Sequence, residues 1–195
     1  MSTNPDHPLR VLALRWRGVL RNELHYVELP QETALYLGRI TDFKGWLSSW
    51  TIRLHRGSER GEEIGYCTVE RRKLTLTMVT RVFDKNGRQL LWADPIASCA
   101  TEQWPLIIEV KALAPDWSVT PSVKGRERKL VLHYRGKLAA EIVEQYRVPA
   151  RTFWTLDARI MLCRVDLYEE AQTDTVVLLC LGLMGAFEEP SSPTA

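Results

Sequence analysis

The twelve residues from Val176 to Phe187, VVLLCLGLMGAF, carry no charge and show no polar face. A helix that is apolar on every side is either buried in protein or spans a membrane. A spanning helix needs about 20 predominantly apolar residues, whereas this run is stopped by Glu188, Glu189 and Pro190. The sequence therefore predicts a buried core helix near Asp174 to Phe187. Asp174 is the expected N-cap, with Thr173 as the alternative one residue earlier, and the acidic charge suits a helix N-terminus. A buried strand is the competing reading because Val176, Val177 and Leu178 tolerate one, but the run exceeds the usual strand of about 4 to 8 residues. Gly182 and Gly185 fall i, i+3 on one stripe. Each weakens the helix by roughly 1 kcal/mol relative to Ala, and small residues there would let a neighbouring backbone come close. Something else in the chain must surround this helix.

Most of the remaining sequence alternates with period two, the signature of half-buried strands. In WTIRLHRG the inner set is Trp50, Ile52 and Leu54; in RKLTLTMVTRVFD it is Leu74, Leu76, Met78, Thr80 and Val82. In KLVLHYRG it is Leu130, Leu132 and Tyr134; in RIMLCRVDLYEE it is Met161, Cys163, Val165 and Leu167. Turn signals separate these runs at Arg56 to Gly61, Asp84 to Gly87, Pro115 to Gly125 and Tyr134 to Gly136. The clearest hairpin is FDKNGRQLLWA, in which Asn86 and Gly87 are expected to supply the positive-φ positions. A weaker echo, HYRGKLAAEI, follows 49 residues later. Short strands at this spacing indicate an all-β sandwich or barrel. Strands with one apolar face each, plus one helix apolar all round, are both satisfied by a closed antiparallel barrel with the helix in its lumen.

A length of 195 residues fits one domain, expected over residues 10–189, between tails at 1–9 and 190–195 rich in Ser, Thr and Pro. With 45% hydrophobic and 26% charged residues and a net charge of +2, nothing in the composition demands a nucleic-acid partner. The start has no basic region followed by an apolar one, no lipidation motif is present, and a cytoplasmic or membrane-peripheral protein is expected. The four cysteines, Cys67, Cys99, Cys163 and Cys180, form no CxxC pair and read as reduced core thiols.

Three motifs occur in order: DKNGRQLLW at Asp84 to Trp92, YRGKLAAEI at Tyr134 to Ile142, and TDTVVLLCLGLMGAFEE at Thr173 to Glu189. Together they resemble the tubby C-terminal-like superfamily, and more specifically its LURP-one-related branch. In that family a strand ending in an Asp/Gly turn is followed by an aliphatic strand, and an Asp opens the terminal apolar helix, the position of Asp174 here. The resemblance covers roughly residues 30 to 189. It implies a barrel of about twelve antiparallel strands around a central helix. The segment Trp92 to Val123, with Pro95, Pro105, Pro115, Pro121 and three tryptophans, departs from the pattern. Tubby-like proteins are associated with phosphoinositides, scramblase relatives with phospholipid membranes, and plant LURP-one proteins with defence; one fold hosts several roles.

No catalytic motif is present: no GxSxG, HExxH, GxxxxGK[ST] or GxGxxG. His7, His25, His55 and His133 are isolated, and the adjacent pairs Glu62/Glu63 and Glu169/Glu170 point apart in a strand. A Cys67/His133 dyad is the one nucleophilic pairing left to geometry. The expectation is a chain without enzymatic activity, metal or cofactor.

The positive functional signal is basic. Arg71, Arg72 and Lys73 precede one strand, and Lys124, Arg126, Arg128 and Lys129 precede or open another. Residues 53 to 88 hold nine basic and five acidic side chains, a net of +4, and residues 124 to 137 hold six and one, a net of +5. Converging on one barrel end, these clusters would suit phosphoinositide headgroups, each Lys or Arg contributing about 1 kcal/mol near an anionic membrane. Trp46, beside Gly45, is the candidate for a ring at the lipid interface. The bland alternative is a solvated rim that discourages edge pairing. A protein–protein scaffold using the Trp/Pro-rich segment 92–117 is the second functional expectation, and a small-molecule barrel, which would need an empty lumen, the third.

Overall fold

The computed structural model describes residues 7–17, 23–41, 49–71, 78–95, 108–124, 127–144 and 159–183. Twelve strands, β1 (Arg10–Arg17), β2 (Glu23–Leu29), β3 (Thr33–Thr41), β4 (Ser49–Arg56), β5 (Glu63–Arg71), β6 (Met78–Asp84), β7 (Gln89–Pro95), β8 (Ile108–Leu113), β9 (Trp117–Lys124), β10 (Glu127–Tyr134), β11 (Lys137–Glu144) and β12 (Arg159–Leu167), precede the helix α1 (Thr173–Leu183). The strands form one sheet in which every sequential pair is antiparallel and hydrogen-bonded except β8 and β9, and β1 pairs with β12 to close the circle. The result is a nearly closed up-and-down barrel whose seam lies between β8 and β9.

The alternation read from sequence sets the wall. Ile52 and Leu54, Thr80 and Val82, Leu130 and Leu132, and Cys163, Val165 and Leu167 are all buried on the inner face. Leu74 and Leu76, and the side chains of Met78 and Met161, lie outside what is described. In the segment that resisted alignment, Pro115 occupies the turn joining β8 to β9, and Pro121 sits in β9 at the sheet edge, where a missing ladder donor is tolerated.

A barrel of eight strands is just filled by its own side chains, and larger ones leave space. Here α1 takes that space. Val176 to Leu183 are no more than 3% exposed where apolar, so the helix is covered all round. Tyr26 on β2 donates its hydroxyl to the Val177 carbonyl at 2.8 Å, and Thr80 on β6 donates to the Gly182 carbonyl at 2.6 Å. Gly182 is where the wall comes nearest: a Cβ there would lie 2.4 Å from Val82 Cγ2 and 2.7 Å from Leu91 Cδ2. The close approach is made by side chains of β6 and β7, not by a neighbouring backbone. Gly185 and the expected last turn to Phe187 lie outside the described residues.

The helix start differs from expectation. A 3-10 turn, Glu170–Gln172, leads directly into Thr173, so Asp174 is the second helical residue and not the N-cap. The Thr173 hydroxyl bonds back to the Glu170 carbonyl at 2.7 Å. Asp174 is instead drawn outward by two wall residues, Tyr36 and Arg56.

Two substitutions test this packing. Leu181→Asp buries an unpaired carboxylate and is expected to abolish the cooperative unfolding transition in urea. Gly182→Ala improves helix propensity by about 1 kcal/mol but drives a methyl into the fully buried, β-branched Val82, and overpacking typically costs about 1–3 kcal/mol. Its urea midpoint is expected to fall; an unchanged or raised midpoint would show that the wall yields.

Candidate functional site

The meander gives the barrel two distinct ends. Odd strands finish at one end, and even strands finish at the other. At the second end α1 begins, and all its connections are described.

Those connections are tight. Asp84 Oδ1 accepts the N–H groups of Asn86 and Arg88, both at 2.9 Å, and the Gly87 N–H bonds to the Asp84 carbonyl at 3.0 Å. Only Gly87 has positive φ, 77°, so this is a type I turn closed by a left-handed glycine and not the turn with two positive-φ residues that Asn-Gly suggested. The Arg135-Gly136 hairpin has that second form, with φ of 50° and 76°.

Around the helix start the charges are matched. Arg56 donates to Asp174 at 2.5 Å, the Tyr36 hydroxyl donates to the other Asp174 oxygen at 2.6 Å, and Glu62 accepts Lys85 at 2.6 Å and lies 3.5 Å from Arg56. Arg10 donates to Glu28 at 2.6 Å, and Arg135 faces Asp116 at 3.5 Å. Burial, then the Asp174 carboxylate, pushes the Tyr36 hydroxyl well above its ordinary range. Two hollows flank Asp174. One, of about 400 Å³, lies between Arg10 and Arg56 over Leu35 and Tyr36; the other, of about 290 Å³, lies between Glu62, Lys85, Arg88 and Trp117. Arg10 and Arg56, which line the larger hollow, already meet carboxylates, so that hollow presents little uncompensated charge. This end works as a clasp on the helix.

Cys67 and His133 do not form a dyad. Cys67 is 0% exposed on the inner face of β5, whereas His133 is on the outer face of β10, so the wall separates them. His55 Nδ1 lies 3.3 Å from the Gly61 carbonyl and His25 pairs with Glu23. Glu62 and Glu63 diverge, Glu63 meeting Arg53 at 3.1 Å. Among the described residues no group of three or more His, Cys, Asp or Glu could hold a metal ion.

The opposite end receives the basic clusters. Arg71 closes β5, Lys124 closes β9, and Arg128 lies in the first turn-proximal residues of β10. Odd-strand ends and even-strand starts share this end, so the topology puts Arg71, Lys124 and Arg128, described members of the two clusters, at one rim. Arg72, Lys73, Arg126 and Trp46 lie outside the described residues, as do the side chains of Arg71, Lys124 and Arg128. Lys129 is different: its amine is 2.7 Å from Glu141, and both side chains are largely buried at 25% and 20% exposure. It is committed to the outer wall.

Of the Trp/Pro-rich segment, Trp117 is buried against Tyr134 with ring centroids 5.1 Å apart, and Trp92 lies under the Arg81 guanidinium at 5.3 Å. Trp104 lies outside the described residues. Tyr26, Tyr36 and Arg56 were not singled out from sequence. Their partners are 151, 138 and 118 residues away, and the only local hint was a tyrosine at an inward position of an alternating strand.

Compared with protein-family models, curated proteins and solved structures, the chain has no match.

Burial pushes the Cys67 thiol up to about 12 from 9.0. The folded state therefore holds this proton more tightly than the unfolded chain. Its contribution to stability is complete below pH 9 and is lost as pH rises toward 12. Urea unfolding of reduced protein between pH 8 and 12 is expected to show a shallower loss of stability in Cys67→Ala than in the wild type. Equal slopes would place the thiol in contact with water.

Proposed function

We propose that this chain is a non-enzymatic module of the tubby C-terminal-like, LURP-one-related kind, which binds anionic phospholipid, phosphoinositide in particular, through the rim where odd strands end. The reading is supported by the antiparallel meander, in which Arg71 ends β5 and Lys124 ends β9 at the same end of one barrel, some fifty residues apart in the chain. The architecture is also the one that the resemblance implies. The helix-filled lumen favours a surface site over a small-molecule barrel, because the inner wall and α1 pack against each other along its length. The buried Trp117 leaves a weaker basis for a contact surface on segment 92–117.

Purified protein is mixed with liposomes with and without phosphoinositide, at low and physiological salt. Binding that follows phosphoinositide content and weakens with salt is the expected result. The variant Lys124→Glu, Arg126→Glu, Arg128→Glu spares Lys129, whose amine is held by Glu141. With about 1 kcal/mol lost per cation, binding should weaken about a hundredfold while the urea midpoint stays the same. Unchanged liposome binding in this variant would remove the rim as the site.

A further inference from the structure

Two cysteines meet inside the barrel. Cys163 is on the inner face of β12, in register with Leu14 of β1 and Glu144 of β11, and Cys180 is on α1. Their Sγ atoms are 3.5 Å apart, both thiols are free, and the residues are 1% and 0% exposed. The contact joins the helix to the wall strand that leads into it.

We propose that Cys163 and Cys180 form a redox-sensitive latch, a disulfide made by hydrogen peroxide that ties the central helix to the barrel wall. A disulfide bond is about 2.0 Å long, so the sulfurs close by about 1.5 Å. In the first step one sulfur attacks a peroxide oxygen and the O–O bond breaks, leaving a sulfenic acid and one water. In the second, the other sulfur attacks the sulfenic sulfur; the S–S bond forms and the hydroxyl leaves with the second thiol proton as water. The two thiols lose two electrons and the peroxide gains them.

Burial selects the oxidant. The neighbouring sulfur first, and burial second, push the Cys163 thiol well up, which keeps it protonated and makes its reaction slow with peroxide and other reagents alike, so access decides which oxidant reaches it. An uncharged oxidant close to water in size reaches such a pair when the barrel breathes, and a bulky disulfide does not. The covalent ring then encloses the second half of β12, the 3-10 turn and α1 as far as its eighth residue, and constrains the unfolded chain.

The full chain, folded and reduced, is exposed to hydrogen peroxide, quenched with catalase, denatured and alkylated, and its intact mass and peptide map are read. The expected product has lost 2 Da, carries two fewer alkyl groups, and yields one peptide linking Cys163 to Cys180. Its urea midpoint is raised and returns to the reduced value with dithiothreitol. Cys67, equally buried with its thiol toward the Thr68 carbonyl, is the internal control and should remain alkylated. Alkylation of all four cysteines, a link through Cys67 or Cys99, or conversion to sulfinic acid would each overturn the latch. Cys180→Ser is expected to lose the link, but the wild-type mass alone decides the matter.

Discussion

The helix α1 has no face it can show to water, and the barrel is the consequence of that fact. Eleven residues of helix span about 16 Å, and strands of six to nine residues run about 20–30 Å, so the wall overreaches the described helix. An open sheet would cover one side of such a helix and leave the other exposed. Twelve strands wrapped round it cover every side, and the first and last strands, β1 and β12, must pair for the wrap to close. The helix therefore sets the number of strands as much as the strands set the place of the helix. A smaller barrel would have no room for α1, and a larger one would leave voids along it.

Closing a wall around a helix raises a second problem, because a buried helix still carries polar backbone. Tyr26 and Thr80 answer it from the wall, one donating to the Val177 carbonyl near the middle and the other to the Gly182 carbonyl near the end. Asp174 anchors the start through Tyr36 and Arg56. These polar attachments come from β2, β3, β4 and β6, neighbouring strands on one side of the circle, and the rest of the wall covers the helix with apolar side chains. The polar attachments fix its depth and rotation, which uniform apolar packing would leave loosely specified.

The parts of the fold written locally were legible in the sequence, and those written across the chain were not. Alternation in WTIRLHRG, KLVLHYRG and RIMLCRVDL assigned the inner faces correctly because a strand with one wet face records its orientation every second residue. The apolar run likewise announced a buried helix. Its cap was misassigned because Asp174 next to an apolar run looks like an N-cap locally, while the groups that claim its carboxylate, Tyr36 and Arg56, are more than a hundred residues away. The Asn86-Gly87 turn was misread for a related reason: Asp84 organises it through two backbone N–H groups, so Asn86 has no need of positive φ. Lys129 read as part of a free basic cluster, yet its cross-strand partner Glu141 became visible only with the β10–β11 register.

The two barrel ends divide the labour. Where α1 enters, short turns and matched carboxylate–cation pairs seal the lumen, and the Arg10 and Arg56 guanidinium groups that border the larger hollow are already engaged. These pairs are about half exposed, so each contributes little by itself, and the end is held mainly by its short turns and the buried start of α1. At the far end Arg71 closes β5, Lys124 closes β9, and Arg128 lies near the start of β10. A scaffold that fixes its helix at one end is free to vary its connections at the other without disturbing the core. The apolar helix that forces the barrel to close also gives it a direction, since its start, with Asp174 held by Tyr36 and Arg56, marks one end as different from the other.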